Sequence, residues 1–218
     1  MLSLFWAFIF SFSIFIAGII ALVRFKKINK VYYPFLVCIW LACANELLTL
    51  ILYKFHSNGN VNNNIYILCE AILITLLFKK LGILKTPKNL YQFIIVLLIL
   101  CWAAEIFIFG KLSEAVIYFR IIYSFIIVMM SVNYLNVLIG SSKKLYFKNS
   151  DFLLCLSFIL YFTYKILVQS FWLYGLNSGI SFLLKISAIM IYINLIANLI
   201  YALAVLWMPS KIEYSQPY

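Results

Sequence analysis

The sequence predicts an all-α fold, a polytopic membrane helix bundle of seven transmembrane helices with its N-terminus outside and its C-terminus in the cytoplasm. Three observations predict it. Of the 218 residues, 67% are hydrophobic and only 11% are charged, with a mean hydropathy of +1.08; soluble domains are about half apolar and about a quarter charged. The apolar residues fall in runs of about twenty, the length that crosses a bilayer as a helix. The basic residues gather in alternate turns between those runs, as lysine and arginine do on the cytoplasmic side.

The first span is expected over residues 2–23. No basic segment precedes it and no small-residue cleavage site lies before its basic flank, so a membrane span is expected rather than a cleaved signal peptide. That flank is Arg24, Lys26, Lys27 and Lys30. The second span covers about 32–53 and ends at Lys54, before a polar turn from His56 through Asn64. The third, about 62–82, is the shortest apolar run. Ile65 to Phe78 alone does not cross, so the helix is extended back into the asparagine run and on past Lys79 and Lys80, whose long stems snorkel.

The fourth span covers about 91–109, and Gly110 to Glu114 turns the chain. The fifth covers about 117–139 and precedes Lys143, Lys144 and Lys148. The sixth covers about 152–171. The seventh, about 180–207, is stopped by Pro209. Residues 1–208 thus form one transmembrane domain and 209–218 a short cytoplasmic tail. Residues 24–30, 79–88 and 143–148 together with Lys211 hold twelve of the 17 basic residues, against Lys54 and Lys111 on the other side. This bias sets the orientation. It also requires the third span to cross, since otherwise the lysines at 79–88 would lie outside. Aromatic residues at span ends, among them Tyr32, Tyr66, Tyr91 and Trp207, suit the headgroup region.

Six ionisable residues lie inside the spans: Glu46, Glu70, Glu105, Arg120, Lys165 and Lys185. Such groups are costly in lipid and mark functional sites by default. At about 1.5 Å per residue, Glu46 lies roughly 12 Å below the outer surface and the other five about 9 Å. The layer has three charges of each sign, all in the outer half. Helical spacing puts Cys38, Ala42, Asn45 and Glu46 on one face of the second span, Tyr161 and Lys165 on one face of the sixth, and Ser181 and Lys185 on one face of the seventh. Polar stripes of this kind face a bundle interior. Two readings fit: an outward-facing ligand pocket using Asn45 and the six charges, or internal ion pairs that fix helix packing, with the cations snorkelling to headgroups.

A second polar stripe, Asn194, Asn198 and Tyr201, lies half a turn around the seventh helix from Lys185. It is expected to make helix–helix contacts, either with Asn133 and Asn136 of the fifth span or with another subunit, because side-chain amides bond across helices in lipid.

Chemistry is bounded by what the chain lacks. The single histidine, His56, falls in a loop, and Asp151 is the one aspartate. His-based catalysis and a paired-aspartate protease therefore have no residues to use. Ser181 and Lys185 are ordinary i,i+4 neighbours, too little for a Ser–Lys dyad. The five cysteines sit in apolar runs with no Cys-x-x-Cys pair and read as small buried hydrophobes, without a metal site. No enzyme, cofactor or nucleic-acid partner is expected.

Asn64-Ile65-Tyr66 with Glu70 in the third span, and Asn194, Asn198 and Tyr201 in the seventh, resemble small uncharacterised seven-helix integral membrane proteins of the Bacteroidota. The resemblance covers the whole chain and implies the architecture alone. The expected function is that of a bacterial cytoplasmic-membrane protein with a charged pocket for a small molecule or lipid headgroup. Its partners are the lipid bilayer and another membrane protein or a second copy, through which it acts as a sensor or accessory subunit. The alternatives are a small solute transporter built as a three-plus-one-plus-three duplication and a structural subunit of a larger membrane assembly.

Overall fold

The computed structural model describes residues 10–55, 59–85, 89–109, 112–140, 148–174 and 180–210. Within them the chain forms seven α-helices: α1 (Ile14–Arg24), α2 (Tyr33–Lys54), α3 (Asn60–Leu81), α4 (Leu90–Phe109), α5 (Ile117–Gly140), α6 (Ser150–Tyr174) and α7 (Ile180–Trp207). Short 3-10 turns at Lys30–Tyr32 and Ile83–Lys85 precede α2 and α4. Six helices are long and apolar enough to cross a membrane, so the chain is a multi-pass membrane bundle. In hydrocarbon the helix is the open-chain form that satisfies every backbone donor and acceptor internally. Residues 2–9 of the first expected span, His56, the lysines at 88, 111, 143 and 144, and the expected tail from 211 lie outside the described residues.

Each helix end has a local cause. Pro34 in the first turn of α2 lacks the N–H that would be unpaired there, and Asn29 caps the preceding turn by accepting from the Val31 N–H at 3.1 Å. Gly82 ends α3 at φ 96°, a left-handed conformation that strains a side chain with a Cβ. Asn149 caps α6 by accepting from the Asp151 N–H at 2.9 Å. The third span begins at Asn60, inside the asparagine run. There the asparagines work as tethers. Asn64 is fully buried and its amide donates to the Leu112 and Glu114 carbonyls at 2.9 and 2.6 Å, while Asn60 donates to the Ser113 carbonyl at 2.9 Å.

The helices alternate in direction, so one end of the bundle carries Arg24 and the other Asn60. Six of them close a ring: α1 packs on α2, α2 on α3, α3 on α5, α5 on α6, α6 on α7, and α7 back on α1. Gly18 of α1 brings the first seam close, because a Cβ there would lie 2.9 Å from Cys43 Sγ. The last seam is closed by Arg24. Its guanidinium donates to the carbonyls of Val205 at 2.6 Å, Leu206, and Met208 at 3.2 Å, satisfying acceptors that the end of α7 leaves open. Nearby, the Asn29 N–H donates to the Pro209 carbonyl at 3.1 Å. At the same end Asp151 accepts from the Tyr32 and Tyr134 hydroxyls at 2.6 and 2.9 Å, joining three elements.

Helix α4 stands outside the ring, packed on α3 and α5. Its outer face is bare, with Phe93 64% and Phe107 84% exposed. In a bilayer such a face meets lipid. Toward the Arg24 end the interior of the ring is filled by rings: Phe35, Phe158 and Tyr201 contact one another at centroid distances of 5.3–5.8 Å, tying α2, α6 and α7 together.

Candidate functional site

Above this aromatic layer, toward the Asn60 end, the ring encloses a cavity of about 230 Å³. All six ring helices contribute to its wall, with Asn45, Glu46, Glu70, Arg120, Lys165 and Asn194 the polar lining and Phe35, Phe158 and Tyr201 the floor. Helix α4 contributes nothing.

Two of the four charges in the wall satisfy one another. Glu70 is 7% exposed and Lys165 9%, and Lys165 Nζ lies 3.6 Å from Glu70 Oε2. Glu70 also accepts from the Tyr66 hydroxyl at 2.9 Å and the Tyr123 hydroxyl at 2.8 Å. Lys165 donates to the Tyr123 hydroxyl and faces the rings of Tyr161 and Phe162 at 5.2 and 5.5 Å, a favourable placement for a cation. A buried ion pair is stable in this way only when hydrogen bonds occupy its remaining sites. Here they do.

The other two charges are not satisfied. Arg120 Nε and Nη2 are buried without any hydrogen-bond partner, and so is Ser124 Oγ one turn further along α5. Among the described residues Glu46, half-buried in the wall, makes no ion pair or hydrogen bond. Burying a donor without a partner costs about 1–3 kcal/mol, and more for a charged group. The set can bind: it offers a cationic donor and an anionic acceptor inside one small cavity. No cluster of three or more metal-ligating His, Cys, Asp or Glu side chains exists among the described residues.

The structure therefore gathers Glu46, Glu70, Arg120 and Lys165, with Asn45 beside them, and separates two members of the expected layer. Glu105 lies on α4, outside the ring, and cannot reach the cavity. Its carboxylate instead accepts from the Tyr118 and Phe119 N–H groups at 3.0 and 2.6 Å, capping the start of α5, where the helix dipole favours an anion. Lys185 is exposed on the outer face of α7, since the opposite face of that helix lines the cavity.

The second polar stripe also divides. Asn194, Asn198 and Tyr201 all face the cavity, and Asn198 donates to Ser13 Oγ of the turn before α1 at 2.9 Å. Asn133 and Asn136 are exposed beside Leu84 and Ile94, in a shallow groove between α4 and α5. They point away from the Tyr123 and Ile127 face of α5, Asn136 by about half a turn and Asn133 by about a quarter to a third; that face packs inward, so they do not meet α7. Tyr66, expected from the sequence as a span-end aromatic, and Tyr123, which the sequence did not single out, hold Glu70 in place. The Tyr66–Glu70 spacing of four was the one visible sign, and Tyr123 carried none.

Comparison of the chain with protein-family models, with curated proteins and with solved structures finds no match in any of the three.

Proposed function

We propose that this protein is a bacterial cytoplasmic-membrane protein that holds a small polar or zwitterionic molecule, or a lipid headgroup, in the Arg120 cavity. It acts through a membrane partner as a sensor or accessory subunit. The observation that carries the reading is the pair of buried Arg120 nitrogens without a partner. Nearly all buried polar atoms in proteins are hydrogen-bonded, and an exception calls for a functional reason. The proposed side of the membrane rests on the basic residues: Lys26, Lys27, Lys30, Lys79 and Lys80 are exposed at the Arg24 end, which supports a cytoplasmic Arg24 end and a cavity toward the outer side. Six membrane-length helices that run unbroken and a floor of contacting rings support binding over alternating access, which uses broken helices near the midplane.

The test is purification in mild detergent followed by mass spectrometry of everything retained. The wild-type protein should carry one small molecule in near-stoichiometric amount, and Arg120→Met should lose it. A protein that emerges empty and alone sinks the reading. Uptake of the retained molecule by the protein alone in liposomes would replace it with transport.

A further inference from the structure

We infer that the ligand of the cavity is a small zwitterion whose carboxylate or phosphate is bound by Arg120 and whose ammonium faces Glu46. This deepens the binding reading above and rests on it. Arg120 and Glu46 both line the cavity, and among the described residues neither side chain makes a hydrogen bond or an ion pair. Packing closes off Arg120 Nε and Nη2, so a ligand meets the remaining nitrogen of the guanidinium. A guanidinium donates more strongly to a carboxylate or phosphate than to a neutral oxygen.

The rest of the wall fixes the other half of the ligand. Lys165 is engaged by Glu70 and Tyr123, so it leaves Arg120 as the cation with free donors. Glu70 is likewise occupied by Tyr66, Tyr123 and Lys165, which leaves Glu46 as the carboxylate with open acceptors. The wall is balanced, two carboxylates against two cations. A ligand of net charge would upset that balance in a low-dielectric site; one carrying both signs preserves it. Size narrows the class further. At about 230 Å³ the cavity is smaller than the roughly 300–1,000 Å³ that takes a drug-sized ligand. A free amino acid fits this description, and so does the phosphoethanolamine headgroup of a lipid.

The experiment measures binding to the purified wild-type protein in detergent of glycine, β-alanine and phosphoethanolamine, with acetate and methylammonium as half-ligands. Nanodiscs of phosphatidylethanolamine or phosphatidylglycerol separate a lipid source from a free one. At least one zwitterion, free or lipid-borne, should bind about tenfold or more tightly than either half-ligand. Arg120→Met removes the cation and should weaken it by about tenfold or more. Glu46→Gln should remove the preference over acetate. Acetate binding as tightly as the zwitterions, or Arg120→Met binding unchanged, overturns the inference. The wild-type selectivity stands whether or not a variant folds. If no zwitterion binds while the purified protein retains a molecule of another class, this inference falls and the binding reading stands. If nothing binds and nothing is retained, both fall.

Discussion

The chain has two arginines, and the bundle treats them in opposite ways. Arg24, at one end, is used up by backbone: three carbonyls at the end of α7 accept from it. Arg120, on the cavity wall, is buried with two nitrogens unmet. The side chain is the same, and both sit against packed helices. The difference is between a cation that closes a seam with its partners built in and one that leaves two donors unmet at a cost in stability. The second arrangement is the one on which the binding proposal rests.

Substitutions can break or sharpen this contrast. The largest loss is expected for Arg24→Ala, which removes charge-assisted bonds from the α1–α7 seam and should destabilise the protein by about 2–4 kcal/mol, read as a lower midpoint of thermal unfolding in detergent. Arg120→Met should move the other way. Removing a buried, unmet charge should raise stability by about 1–3 kcal/mol while ligand retention disappears, and equal losses of stability at the two arginines would erase the distinction. Glu105→Gln tests whether that carboxylate is a cap: a loss of about 0.5–1 kcal/mol is expected, with ligand retention unchanged. Lys185→Gln should do least, within about 0.5 kcal/mol in stability and nothing in binding. A loss of binding there would return it to the site.

Much of the cavity was legible, because helical periodicity reports which residues share a face. Ala42, Asn45 and Glu46 on α2, and Tyr161 and Lys165 on α6, were read from spacing and do line one wall. Depth alone was the weaker guide. Counting residues put Glu105 and Lys185 level with the other charges, yet depth says nothing about azimuth, and α4 stands outside the ring. On α7 two opposite polar faces were visible in the sequence, but only packing against α1 and α6 decides that the Asn194 face is the inner one. Arg24 read as one of many basic flanking residues. Its partners lie more than 180 positions away, and no local pattern reports a contact of that range. The asparagine run read as a turn running into the start of the third helix; its polarity did not report that the Asn60 and Asn64 amides tether the loop at 112–114.

The seam between α1 and α7 has a consequence for biosynthesis. Its halves are made 181 residues apart, so α1 waits for α7. Until residues 205–208 have been synthesised, Arg24 has none of its acceptors, and the wall containing Asn194 and Asn198 does not exist. The cavity is therefore a property of the finished ring. A nascent chain stalled before α7 presents α1 with an unpaired arginine and an open flank, the features by which membrane quality control can tell it from the completed protein.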